Sequence, residues 1–221
     1  KKLSTVPTTG LSVSPGDYGM FPHQKDLTRF ALRRGRSAIF ADTGLGKTRI
    51  QIAWADAVSK HQFTDVLILA PLAVAQQTVE EAASVGVQIT HAHDDSEIRP
   101  GINITNYDRL HKFDGDRFGG VVLDESSCIK NHSSRTLQTL LDTFKRTPYK
   151  LCATATPAPN DWTELGTHSE FLGIRTRTEM LAEFFIHDAA NTGEWRVKGH
   201  ARKIFWQWVA SWGVMLRSPS D

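Results

Sequence analysis

Short apolar runs punctuate the chain at regular intervals. Ser37–Ala41, Val66–Ala70, Ile102–Thr105, Val121–Leu123 and Leu151–Ala155 are apolar with almost no polar alternation, the pattern of strands buried on both faces. Val87–Thr90 reads as a sixth strand. Between them lie helical candidates at 47–59, 72–85 and 133–145. Ahead of them Phe21–Arg34 carries Leu27, Phe30 and Ala31 at helical spacing, with Gly35 placed to end the helix. Strand-helix alternation of this kind predicts an α/β fold with a mostly parallel sheet flanked by helices. Residues 1–20 read as an irregular lead-in and 21–160 as the α/β unit. Residues 161–221 read as a helical C-terminal extension. Its aromatics (Trp162, Phe171, Phe184, Phe185, Phe205, Trp206, Trp208 and Trp212) are expected to form a core or an interface rather than a stack for bases.

Composition narrows the class. At 221 residues and 40% hydrophobic, the chain is long enough for one large core. No apolar run approaches the ~20 residues of a membrane-spanning helix, and residues 1–20 hold no apolar signal segment. No membrane is therefore expected. Cys128 and Cys152 make neither a disulfide framework nor a CxxC zinc pattern. A reducing interior follows, cytoplasmic in a bacterial or phage-infected cell and nuclear in a eukaryote. His91, His93, Asp94 and Asp95 imitate a metal cluster but lack a third partner at helical spacing, so they read as a solvated loop. The net charge of +2 hides an uneven distribution: residues 1–60 hold ten Lys/Arg and four Asp/Glu, residues 61–125 four and eleven.

The candidate chemistry begins at residues 41–48, Ala-Asp-Thr-Gly-Leu-Gly-Lys-Thr, directly after one predicted strand and at the start of a helix. That order is what a phosphate-binding loop needs. Small residues let the backbone N–H groups of Thr43, Gly44, Leu45 and Gly46 curl round phosphates, and the helix N-terminus adds its positive end. Lys47 would neutralise the β- and γ-phosphates of ATP, and the Thr48 hydroxyl would ligate Mg²⁺. The strict pattern has Gly at the first position, where this chain has Ala41.

The run Val121–Leu123 then delivers Asp124 and Glu125 to a strand end, where ligands of open α/β sheets bind. Asp124 would hold Mg²⁺, directly or through water. Glu125 would orient and deprotonate the attacking water. Cys128, close by but without a histidine partner in its pattern, reads as structural.

At this point the sequence resembles superfamily 2 helicases and translocases, and within them the Swi/Snf-like branch. Asp124-Glu-Ser-Ser-Cys-Ile-Lys-Asn131 is similar to motif II of that branch, and Leu151-Cys-Ala-Thr-Ala-Thr-Pro-Ala-Pro-Asn160 to motif III with its trailing Thr-Pro-x-x-Asn. Phe21-Pro-His-Gln24 resembles the Q motif, Leu69-Ala-Pro-Leu72 motif Ia and Ile104-Thr-Asn-Tyr-Asp108 motif Ib. Met215-Leu-Arg217 resembles the segment that introduces a second RecA-like domain. The chain departs from the pattern at Ser126-Ser127, where the family has Ala or Gly followed by His or Gln, and at Thr78, where a tryptophan is usual.

The resemblance implies a RecA-like P-loop fold and an ATP hydrolase of the DNA translocase or helicase type, with 21–160 as its first RecA-like domain. It gives Gln24 the adenine edge, and Thr154 and Thr156 the coupling of nucleotide state to nucleic-acid contact. It sets Asn106, Tyr107, Arg109, Lys130, Asn131 and His132 against the phosphates of double-stranded DNA. Trp195–Lys203, basic with one aromatic, is a further nucleic-acid candidate. The motifs and arginine fingers of the second RecA-like domain are missing from these residues, so this half alone is expected to be an incomplete, slow ATPase. Two other readings share the loop and the acids. A DNA-packaging type of P-loop ATPase does not need Thr-Ala-Thr-Pro followed by Asn160. A catalytically inactive nucleotide-binding scaffold does not need intact Lys47, Thr48, Asp124 and Glu125.

Overall fold

The structure, a computed structural model, describes residues 10–129, 131–158, 161–187 and 195–219. Lys130 and Asn160, expected at the nucleic-acid surface and in motif III, lie outside the described residues. The chain runs α1 (Pro22–Arg34), β1 (Arg36–Ala41), α2 (Lys47–Gln62), β2 (Asp65–Ala70), α3 (Leu72–Ser84), β3 (Ile89–His91) and β4 (Ile102–Asn106). It continues through β5 (Phe118–Asp124), α4 (Arg135–Thr143), β6 (Tyr149–Thr154), α5 (Leu165–Phe171), α6 (Arg177–Phe184), β7 (Phe185–His187), β8 (Trp195–Val197), α7 (Arg202–Ala210) and β9 (Gly213–Leu216).

Seven strands form one sheet in the order β3-β4-β2-β5-β6-β1-β9, and every pairing in it is parallel. Parallel neighbours need a crossover between them, and the helices supply it. Successive strand residues serve opposite faces. Ile39 and Ala41 of β1, Ile68 and Ala70 of β2 and Val122 of β5 meet α1, α2 and α3 through Leu27, Ile50 and Ala75. Ala38 and Phe40, Leu67 and Leu69, Val121 and Leu123 meet α4 to α7 through Leu137, Leu165, Met180 and Phe205. Two cores result, one on each side of the sheet. Strands covered on both faces leave little room for polar residues, so the runs of β1, β2 and β5 are nearly continuous, whereas β4 buries Asn103 and Thr105 between its apolar positions.

Local chemistry sets the helix ends near the site. Pro22 opens α1, where its missing N–H costs nothing. Gly35 closes it at φ 70°, its N–H donating to Ala31 and Leu32 carbonyls. Helix α2 is buried almost without a break from Ile50 to Val58, as expected of a helix wedged between the sheet and two neighbours. The lead-in clasps α2 and α1: Arg49 Nη1 donates to the Tyr18 carbonyl at 2.6 Å, the Tyr18 hydroxyl donates to Asp56, and Leu11 N donates to the Leu32 carbonyl of α1 at 2.7 Å.

The tail differs from the helical reading of 161–221. It holds α5, α6 and α7, but also an antiparallel hairpin of β7 with β8, and β9, which returns to pair with β1. Met215 and Leu216 are therefore in the last strand of this sheet. The tail's aromatics do build core: Phe171, Phe184, Phe205 and Trp212 are fully buried, while Trp162 is 46% exposed.

Candidate nucleotide site

Strand order brings three motifs to one edge of the sheet. β6 lies between β1 and β5, so Thr154 at its end stands between the phosphate loop that leaves β1 and the Asp124-Glu125 pair that leaves β5. In the loop, Gly44 and Gly46 hold φ of 85° and 75°, conformations that favour glycine. At Gly46 a Cβ would also lie 2.1 Å from Gln24 Nε2. Lys47 Nζ donates to the carbonyls of Ala41 (2.8 Å) and Asp42 (3.2 Å), which keeps the ammonium at the loop's mouth. The Leu45 side chain packs into the core, so this residue offers a ligand only its backbone.

Gln24 is 7% exposed. Its Oε1 accepts from Phe21 N at 3.0 Å, half of a capping box at the start of α1, and its Nε2 donates to the Leu45 carbonyl at 3.2 Å. The amide thus braces the phosphate loop. Each end of it retains capacity for one more hydrogen bond. If it reads adenine, Gln24→Ala is expected to bring ATP and GTP affinities to within about twofold of each other, where a lost pair of neutral hydrogen bonds predicts a parent preference of about tenfold. Competition titrations with both nucleotides check this, and equal affinities in the parent would remove the role.

Asp124 is held from two sides. Gln51 Nε2, on α2, donates to its Oδ1 at 2.6 Å, and the Tyr107 hydroxyl donates to its backbone carbonyl at 2.7 Å. Burial pushes the Asp124 carboxyl above the usual range, and the Glu125 charge adds to this, while the Gln51 donor and the Lys47 ammonium pull it back. Glu125 has φ 51°, a left-handed conformation that costs a non-glycine residue roughly 1–2 kcal/mol. Its Oε1 accepts from Thr154 Oγ1 at 2.5 Å and from Ser127 Oγ at 3.0 Å. Thr154 Oγ1 accepts in turn from Thr156 N at 3.1 Å. Motif III is therefore wired to the candidate base.

The Ser126-Ser127 departure has a local explanation. Ser127 binds Glu125, and buried Ser126 Oγ shares a hydrogen bond of 3.1 Å with His168 Nε2 of α5. Burial pushes His168 down to about 4, so the ring is neutral at neutral pH. Gln51 and His168 were absent from the sequence-based site. Gln51 stands three residues after Thr48 on a helix, which puts both on one face, a signal that could have found it. His168 had none.

The nucleic-acid candidates separate. Asn106 is 5% exposed and its side chain accepts from Arg109 N, capping the short helical stretch 107–112. Tyr107 is committed to Asp124. Both have partners within the chain, and Tyr107 remains partly exposed. Asn131 and His132 are exposed and line an open groove of about 550 Å³ with Ser133, Thr163, Arg177 and the acidic Asp161 and Glu164. Neither Asn106, Tyr107 nor Arg109 lines that groove. Trp195, Arg196 and Arg202 line a different one beside Trp162 and Trp206.

The donor set fits a magnesium nucleotide. The Thr48 hydroxyl and Asp124 carboxylate are hard oxygens, and Mg²⁺ is commonly bound by one or two carboxylates with phosphates and water completing the shell.

A family model described as the SNF2-related domain matches residues 23–188. The chain belongs to that family. SNF2-related domains are helicase-like ATPase domains of superfamily 2, and nucleotide use with Mg²⁺ goes with them. A comparison with curated proteins finds no match. The chain is similar in fold to the SWI2/SNF2 ATPase core of Sulfolobus solfataricus in complex with dsDNA (TM-score 0.72, 19% identity, covering 99% of this chain and 47% of that one). It is also similar to the UvsW helicase of bacteriophage T4 (0.58, 14%, 71% and 58%) and the Hef helicase domain of Pyrococcus furiosus (0.56, 18%, 69% and 36%). The chain spans about half the length of the SWI2/SNF2 core, and the expected RecA-like fold is the observed one. No helix among the described residues is long and apolar enough to cross a membrane.

Proposed function

We propose that this SNF2-related domain is the ATP-binding half of a motor that moves along double-stranded DNA. The observation that carries the proposal is the contact of Thr154 with Glu125, because it joins the strand end bearing the candidate base to the loop of motif III. Lys47 leaves its loop carbonyls for the β- and γ-phosphates and offsets their charge. Thr48 and Asp124 would hold Mg²⁺, which would supply positive charge against that developing on the phosphates. Glu125 fixes and deprotonates the attacking water. Thr154, donating to Glu125, aligns that carboxylate according to how the motif III loop lies. A second RecA-like domain completes the site, and duplex DNA is the track. Support for DNA is the likeness to a SWI2/SNF2 core whose structure contains dsDNA.

Titration with ATP and Mg²⁺ tests the nucleotide site. Lys47→Ala is expected to weaken ATP about 10- to 100-fold, the usual effect of losing a hydrogen bond to a charged group, with the melting temperature nearly unchanged. Equal affinity in parent and variant would sink the assignment. Duplex DNA binding should fall steeply with salt if phosphates dominate it.

A further inference from the structure

One hydrogen bond outside every recognised motif joins the two sides of the proposed site. Gln51 is 1% exposed, lies one helical turn beyond Thr48, and donates through Nε2 to Asp124 Oδ1 at 2.6 Å. Its helix is firmly seated. Arg49 ties α2 to Glu81 of α3 at 3.0 Å and to the Tyr18 carbonyl, and Trp54, a turn further on, is fully buried. The backbone of Asp124 is pinned separately by Tyr107. What remains free is the rotation of the Asp124 carboxylate, and Gln51 is the group that stops it.

We propose that Gln51 is a positioning residue for the divalent cation, locking Asp124 Oδ1 so that the carboxylate meets Mg²⁺ in one orientation relative to Thr48. The inference rests on the magnesium nucleotide reading above. Mg²⁺ demands near-ideal octahedral geometry, so a carboxylate free to rotate would have to be ordered each time the metal binds. Groups that hydrogen-bond a metal's carboxylate ligands raise metal affinity by fixing them, and their removal commonly costs 10–100-fold. A buried acceptor left without its donor adds to that cost. The same amide ties metal binding to the helix that carries Lys47 and Thr48, so phosphate and metal ligands move as one body.

The test uses Gln51→Leu, with Gln51→Met as a second variant that keeps the length of the side chain and removes the donor. The Mg²⁺ concentration for half-maximal binding of a fluorescent, non-hydrolysable ATP analogue is measured, and so is the affinity of the same analogue in EDTA. The Mg²⁺ midpoint is expected to rise about 10–100-fold, while affinity in EDTA stays within about twofold. In an Asp124→Asn background the Gln51 substitution should then add less than about twofold, because its action runs through Asp124. An unchanged Mg²⁺ midpoint in a folded variant overturns the proposal. So does an equal loss with and without metal, which marks simple damage to the loop, and so does full additivity with Asp124→Asn. If the parent chain binds no nucleotide under either condition, the nucleotide site itself is wrong and this inference falls with it. That result is distinct from an unaltered midpoint.

Discussion

Glu125→Gln should lower steady-state phosphate release by about 10²–10⁴-fold, the usual range for losing a general base, and leave ATP affinity within about twofold. The substitution keeps the size of the side chain and an oxygen that Thr154 and Ser127 can still donate to. The left-handed backbone at position 125 is unaltered, so the melting temperature should hardly move. What is lost is the capacity to take a proton from water. ATP affinity should survive because the loop contacts of Lys47 do not involve Glu125. Phosphate release and nucleotide binding, measured on the same preparations, separate the two effects. Turnover within about threefold of the parent would remove Glu125 from the chemistry and leave its strained backbone without a catalytic explanation.

Joining a second RecA-like domain to this chain should raise its turnover about 10³–10⁵-fold and make it depend on duplex DNA. In the proposed site Lys47 would meet the phosphates from the loop side, and Asp124 and Glu125 the metal and water from the strand end. Positive charge from the opposite side, placed where the γ-phosphoryl group separates, is worth that much in related NTPases. Preorganised charge of this kind is commonly the largest catalytic contribution. The 221-residue chain should therefore bind ATP and hydrolyse it slowly, with or without DNA. The measurement is phosphate release from the chain alone and from the two-domain protein, each with and without duplex. Equal rates would favour a self-contained ATPase. Arg217, which shares a cavity of about 240 Å³ with Asp42 and Thr156, would then be the first residue to replace.

The sequence revealed those parts of the site that are made by neighbours along the chain. The phosphate loop needs a strand, small residues and a helix start in immediate succession, and Asp124-Glu125 needs only a strand end, so both could be read directly. The central strands were legible because both their faces are covered, which leaves an unbroken apolar run. Contacts between distant elements left no such trace. Gln51 reaches Asp124 across 73 positions, its place one turn after Thr48 marking its face but not its partner, and Ser126 reaches His168 across 42 with no spacing rule at all. The internal partners of Asn106 and Tyr107 were hidden for the same reason. A polar residue at a strand end looks alike in sequence whether it meets a phosphate or, as here, caps a helical stretch or holds a carbonyl. The edge strand β9 was also hard to see. It is short and only half covered, so it carries no continuous apolar run.

That edge strand gives the molecule a mechanical line. β9 runs parallel to β1, with Ala38 N donating to the Trp212 carbonyl at 2.9 Å and Asp42 N donating to the Leu216 carbonyl at 3.0 Å. Tension directed along β9 is borne by these bonds together, in shear, rather than by one bond after another as in a hairpin being unzipped. Asp42 is the residue at which the phosphate loop leaves the sheet, and its own carbonyl is one of the two that hold Lys47. A pull on residue 216 therefore arrives one peptide away from the lysine's anchor. The edge strand and the loop proposed to grip ATP are separated by a single row of backbone hydrogen bonds.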